Sequence, residues 1–166
     1  MKKYAVLSLD VEDWYHLEYF KDNLNDKSQS ILEEGTNEFI DIITKENIKA
    51  TFFIVGELIS SKLELLRKII NQDHEISGHS FNHVRPLTQS VEEFKLDSTK
   101  LLVELKENLN IINPGYRAPC FSLDDERLKI LKELLLKFCV FSFKFINTSC
   151  SINKFRFTSV KWVRRS

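Results

Sequence analysis

Short apolar segments alternate with segments of helical periodicity over the first 137 residues, and this alternation restricts the fold more than any other feature. The predicted strands cover residues 4–9, 50–55 and 74–77, with a short extended piece at 116–119. The predicted helices cover 36–47, 57–72, 90–108 and a stretch from 122 or 124 to about 137. Continuous apolar strands separated by helices are typical of an α/β fold with a parallel sheet.

Charged side chains and imidazoles occur directly after these strands. Asp10 to Asp13 close the first strand, His79 and His83 follow the third, and Arg117 lies just beyond the break at Pro114-Gly115. In parallel α/β folds, functional side chains collect where the carboxyl ends of the strands meet. We therefore predict that these three segments lie at one edge of the sheet.

Two histidines at helical spacing, with a carboxylate nearby, are typical of a metal site that keeps one position open. His79 and His83 are four residues apart, and an open position lets a metal activate water. In an extended segment Asp10 and Glu12 point the same way, so one could bind the metal while the other takes a proton from water. Asp13 is an alternative ligand if the chain turns early. The competing interpretation is two unrelated surface histidines and a solvated strand end.

An arginine in the third segment suggests a partner for one of these carboxylates. Arginine can hold a carboxylate through two parallel hydrogen bonds and lower its pKa. Arg117 would then orient a catalytic aspartate and keep it ionised. The alternative is a surface arginine beside the turn-forming Pro119.

Four motifs occur in a fixed order along the chain, and together they resemble the polysaccharide deacetylase (NodB-homology) family of carbohydrate esterases. The resemblance covers roughly residues 3–137. The motifs are Leu9-Asp10-Val11-Glu12-Asp13-Trp14, Ala50-Thr51-Phe52-Phe53-Ile54-Val55-Gly56, His74-Glu75-Ile76-Ser77-Gly78-His79-Ser80-Phe81-Asn82-His83 and Gly115-Tyr116-Arg117-Ala118-Pro119.

The resemblance implies a fold, a cofactor and a reaction. It implies a distorted (β/α) barrel with fewer than eight regular strands. Asp10 would be the general base and Arg117 would orient it, while Glu12, His79 and His83 would bind Zn²⁺, or Co²⁺ or Ni²⁺ in its place. The substrate would be an N-acetylated amino-sugar polysaccharide or peptidoglycan-type glycan, which loses its acetyl group as acetate. Trp14, Tyr15 and Tyr116 are candidates for stacking on sugar rings.

The chain departs from the family pattern in one respect that bears on activity. Members of the family carry a late histidine that protonates the leaving amine, whereas this chain has no histidine after His83. General acid catalysis contributes ~10²–10⁴-fold in rate, so we expect impaired activity. The alternative is a non-catalytic remnant that binds metal or glycan.

Because a complete barrel usually needs ~250 residues, we expect the barrel to be incomplete.

The last part of the chain differs in composition from the rest. After Glu133 there are seven positive charges and no acidic residue, and six of the thirteen phenylalanines lie between 138 and 157. The alternation of polar and apolar residues predicts a C-terminal β-strand pair. We divide the chain into a deacetylase-like domain, 1–137, and an atypical basic tail, 138–166. A frameshifted or truncated reading frame is our hypothesis for that tail.

Charge and hydropathy favour neither a nucleic-acid partner nor a membrane. Lysine plus arginine and aspartate plus glutamate number 24 each. The phenylalanines and lysines of the tail resemble a stacking platform for single strands, but a strand pair with one apolar face explains them more simply. No apolar run has the length of a signal-peptide core or a membrane span, so a cytoplasmic location is expected.

Overall fold

A computed structural model describes residues 5–17, 20, 30–134 and 137–138. The strands are β1 (Leu7–Val11), β2 (Ala50–Ile54), β3 (Glu75–Gly78), β4 (Gly115–Tyr116) and β5 (Lys137–Phe138). The helices are α1 (Leu32–Lys45), α2 (Leu63–Asn71), α3 (Val91–Leu109) and α4 (Asp125–Glu133). Within these residues, no helix combines the length and apolar character that crossing a bilayer requires.

The five strands form one parallel sheet whose spatial order is the order of the sequence. Each strand lies beside the one before it, and a helix occupies each connection between them. Successive strand–helix units that advance in one direction build (β/α) barrels. The predicted α/β class and the partial barrel are confirmed.

The core lies where the helices cover the sheet. Ile40 of α1, Leu66 of α2 and Leu101 of α3 are fully buried in one cluster with Phe52 and Ile54 of the internal strand β2. Strand β2 directs Ala50, Phe52 and Ile54 into this cluster, as expected of an internal parallel strand covered by helices.

Several predicted boundaries are corrected by the structure. The segment 57–72 is divided into a 3₁₀ turn, Gly56–Leu58, and helix α2. The backbone N–H groups of Gly56 and Glu57 donate to the carbonyls of Ser80 and Phe81, and this docking sets the turn apart from the helix. Helix α1 begins at Leu32 rather than at 36.

The end of the described chain also differs from the prediction. Helix α4 is capped by Asp124 and ends at Glu133, and Lys137 lies in strand β5 rather than at the end of the helix. Beyond Phe138, the predicted strand pair lies outside the described residues. The domain boundary at 137 and the origin of the tail stay predictions.

The register of the sheet brings the ends of four strands together. Val11 pairs with Ile54, Ile54 with Gly78, and Gly78 with Tyr116. The residues that follow these positions therefore emerge at one edge of the sheet, as the sequence predicted.

Candidate metal centre

Three potential ligands converge at this edge. Glu12 follows β1, and His79 and His83 follow β3; one ligand atom from each lies within 4.8 Å of the others. Both imidazoles are buried and the carboxylate is half-buried. Two nitrogens and one carboxylate oxygen are a donor set that zinc commonly takes in catalytic sites.

Backbone carbonyls orient both imidazoles. His79 Nδ1 donates to the carbonyl oxygen of Arg117 at 2.8 Å, and His83 Nδ1 donates to that of His16 at 2.9 Å. A carbonyl oxygen only accepts, so each Nδ1 carries a hydrogen and each neutral ring presents the lone pair of Nε2 to the cluster. Metal-binding histidines are typically held in this way.

The acceptors in the cluster face one another and need a cation between them. His83 Nε2 lies 2.6 Å from Glu12 Oε2. With Nε2 unprotonated, this buried oxygen has no hydrogen-bond donor among the described residues. Either a proton on the ring or a metal ion has to offset the repulsion. The three side chains therefore fit a divalent metal.

The pKa values of two cluster residues favour the forms that bind a metal. Burial lowers the pKa of His79, although the charge of Asp10 and the bond to the Arg117 carbonyl oppose this change. Burial alone would raise the pKa of Glu12, but protonated imidazoles, above all a protonated His83 that would donate to the carboxylate, outweigh burial and lower it. A neutral imidazole and an ionised carboxylate are the metal-binding forms.

A second carboxylate lies beside the cluster and is held by arginine. Arg117 Nη1 donates to Asp10 Oδ1, and its Nη2 donates to Ser8 Oγ at 2.7 Å. The guanidinium carbon stacks 3.9 Å from the centre of the Phe53 ring. The other oxygen of Asp10, Oδ2, lies 3.9 Å from His79 Nε2. The Arg117 guanidinium group thus bonds to both Asp10 and Ser8, and Oδ2 of Asp10 is left facing the cluster.

Asp13, the alternative ligand, has a different role. It caps the 3₁₀ turn Trp14–His16 and accepts hydrogen bonds from the Trp14 backbone N–H and from Ser30 Oγ. The metal-ligand cluster contains Glu12 and not Asp13.

Two supporting groups were not singled out as site residues from the sequence. His16 is buried and bonds to Glu57. Asp97 of α3 accepts from the backbone N–H groups of Phe81 and Asn82, at 2.8 and 3.3 Å. The spacing of His16 from Asp13 matches the third position of a capping box and was a usable signal. Asp97 had no such signal, because its partners lie in another element.

An apolar cavity of about 460 Å³ adjoins the cluster on the Glu12 side. Its lining residues are Glu12, Asp13, Trp14, Phe20, Ile31 and Leu32. Tyr116, by contrast, is buried edge-on against Phe94, with ring centroids 6.1 Å apart. The expectation that Tyr116 stacks on a sugar is wrong, because strand β4 turns its ring into the core.

Comparison with known proteins identifies the family. The sequence model of the family described as polysaccharide deacetylase matches residues 20–139. The chain belongs to the polysaccharide deacetylase family. The family resemblance is thereby confirmed; three of the four motifs lie within the matched residues, and the motif Leu9 to Trp14 precedes them.

Individual members of the family are similar over part of their length. Chitin deacetylase 1 of Cryptococcus neoformans var. grubii is 30% identical over 97 residues, which are 56% of this chain and 21% of that protein. Peptidoglycan deacetylase of Helicobacter pylori is 28% identical over 120 residues, which are 70% of this chain and 39% of that protein. The chain thus spans about a fifth to two fifths of these relatives.

A solved structure shows the same fold. A CE4 family pseudoenzyme from Bacillus anthracis superposes with a TM-score of 0.65 at 22% identity, over 80% of this chain and 41% of that one. At this identity the likeness concerns the fold alone.

Proposed function

We propose that the site is a metal-dependent deacetylase centre that removes acetyl groups from an N-acetylated amino-sugar glycan, of the chitin or peptidoglycan type, and releases acetate. The observation that carries this proposal is the pair of histidines whose Nδ1 atoms are held by carbonyls while both Nε2 atoms face Glu12. Membership of the family and the names of its chitin and peptidoglycan deacetylases support it.

The proposed metal is Zn²⁺, with Co²⁺ or Ni²⁺ as substitutes, bound by Glu12, His79 and His83. Two imidazoles and a carboxylate suit several divalent ions of this series. When bound, such an ion would polarise the acetyl carbonyl and lower the pKa of water toward ~7.

Asp10 is the proposed general base. Its Oδ2 is turned toward the cluster while Arg117 holds Oδ1. Arg117 is buried on the Phe53 ring and bonded to Ser8, so the carboxylate keeps one orientation. Asp10 would take a proton from the attacking water, and Trp14, beside the cavity, would stack on the glycan.

Protonation of the leaving amine is the step for which this chain offers no histidine. His79 and His83 belong to the cluster, and His16 has both ring nitrogens bonded. His74 lies just before β3, at the end remote from the site, against the Phe52 ring. Activity would therefore be low, by ~10²–10⁴-fold if nothing replaces the acid. The second candidate, a non-catalytic metal- or glycan-binding domain, is favoured by the same observation.

Acetate release and metal content test the proposal. We expect about one zinc per chain, and zinc-dependent release of acetate from chitin oligomers or acetylated peptidoglycan that Asp10→Asn abolishes. The matched control is Asp73→Asn, because Asp73 is an exposed carboxylate paired only loosely with Lys49 at 3.6 Å. Zinc binding without acetate release would support the second candidate, and absence of zinc binding would refute the metal-dependent centre and leave only the glycan-binding form of the second candidate.

A further inference from the structure

His16 is a buried imidazole with both ring nitrogens engaged. The backbone N–H of Asp13 donates to His16 Nδ1 at 2.7 Å. The hydrogen of the neutral ring therefore lies on Nε2, which donates to Glu57 Oε1 at 2.8 Å. The residue is only 4% exposed, so its ring is placed to hold neighbouring backbone rather than to meet a glycan.

Three hydrogen bonds join the loops after β1, β2 and β3 into a closed circuit. Glu57 Oε1 accepts from the His16 ring, and the His16 carbonyl accepts from His83 Nδ1 at 2.9 Å. The Glu57 backbone N–H donates to the carbonyl of Phe81 at 2.9 Å, two residues before His83. Displacement of any one loop would therefore strain the other two.

The bond that orients His83 depends on this circuit. His83 has a left-handed backbone with φ 54°, which is uncommon for residues other than glycine, although histidine is among the side chains enriched there. Its ring is aimed by a single carbonyl, and that carbonyl belongs to the turn Trp14–His16. The His16 side chain holds this 3₁₀ turn to Glu57 through its hydrogen bond.

We propose that His16, held by Glu57, is a positioning residue for His83: it places the carbonyl that keeps the hydrogen on Nδ1 and leaves Nε2 for the metal. This inference rests on the proposed function, in which His83 is a metal ligand. Partners beyond the ligands orient metal-bound histidines, and their loss typically lowers metal affinity by ~10–100-fold.

Four variants separate the parts of the circuit. His16→Gln can still reach Glu57 but lacks an acceptor for the Asp13 N–H. His16→Asn keeps that acceptor but is too short to reach Glu57. Glu57→Ala removes the acceptor for Nε2, and Glu57→Gln keeps an acceptor oxygen. His74→Gln is the matched control, because His74 is also a buried imidazole but lies remote from the cluster.

Zinc affinity and metal-free stability are measured on each chain at neutral pH, by competition with a chelating dye and by urea unfolding. We expect His16→Asn, His16→Gln and Glu57→Ala to bind zinc ~10–100-fold more weakly. Glu57→Gln should bind within error of wild type. His74→Gln should lose stability but no affinity. Cobalt spectra of the His16 variants should show altered ligand-field bands.

The outcomes distinguish this inference from the proposed function. Wild-type affinity and wild-type cobalt spectra in the His16 variants would overturn the inference and leave the metal site standing. Equal loss of affinity in His74→Gln would also overturn it, because the effect would then follow general destabilisation. A wild-type chain that takes up no zinc would overturn the proposed function and the inference with it.

Discussion

A methyl group added at Gly78 should test how tightly the metal-binding loop is packed on the core. Gly78 ends β3, directly before His79. A Cβ atom there would overlap Leu101 Cδ2 and lie 3.2 Å from Leu101 Cγ. Leu101 is fully buried in α3, so its side chain has little room to turn away. Gly78 has no positive φ, and the glycine is required for close approach rather than for its backbone conformation.

The magnitude follows from two opposing contributions. Overpacking of a well-packed core costs about 1–3 kcal/mol. Replacing glycine by alanine restricts the unfolded chain and returns about 0.4–1 kcal/mol. We therefore expect Gly78→Ala to lower the free energy of unfolding by about 0–2.6 kcal/mol, with about 1.3 kcal/mol at the middle of the two ranges.

In a chain that also carries Leu101→Ala, Gly78→Ala should no longer lower the free energy of unfolding. Leu101→Ala alone should cost about 2–5 kcal/mol, because it leaves a cavity. It also removes the three atoms that would lie nearest to the new methyl. Gly78→Ala should then be neutral or stabilising in that background. The coupling between the two sites should be about 1–3 kcal/mol, within the range seen for residues in contact.

Urea unfolding followed by circular dichroism measures all four chains of this cycle in metal-free buffer. Equal m-values are needed for the comparison of their free energies. If Gly78→Ala costs the same free energy in both backgrounds, the clash with Leu101 is not its cause and the reasoning fails.

Three further outcomes are expected. Burial, with a smaller contribution from Lys49, lowers the pKa of His74 below 6.5. Wild type should therefore lose stability faster than His74→Gln as pH falls below 6.5. Equal slopes of the free energy of unfolding against pH in the two chains would contradict this. Asp97→Asn leaves one acceptor oxygen for the two backbone N–H groups of Phe81 and Asn82 and should cost about 1–3 kcal/mol in urea unfolding; unchanged stability would contradict that role. Free zinc at 100 times its Kd should stabilise the chain by about 2.7 kcal/mol over chelator-treated protein, and identical unfolding curves would refute zinc binding to the folded state.

Strand ends were the part of the site that the sequence predicted well. Four site residues each lie within two residues of a strand end: Asp10, Glu12, His79 and Arg117. The parallel register of the strands then brings them to one edge of the sheet. The direction shared by Asp10 and Glu12 follows from the two-residue period of an extended chain. Their convergence therefore required no knowledge of packing.

Packing decided what local patterns could not. Tyr116 was a candidate for stacking on a sugar ring, but β4 lies between β3 and β5 and the Tyr116 ring faces the core. The helix predicted over 57–72 had the correct periodicity, yet its first turn is separated because its N–H groups bond to the loop after β3.

The sequence by itself determined the α/β class, the family and the set of groups available for chemistry. These depend on hydrophobic period and on the residue types that follow each strand, which are local properties of the chain. Only the tertiary structure decided that Glu12 rather than Asp13 joins the histidines, and that His16 supports His83. The first outcome depends on the convergence of the loops after β1 and β3. The second depends on hydrogen bonds across 41 and 67 positions of sequence, and spacing along the chain carries no information about such distant pairs.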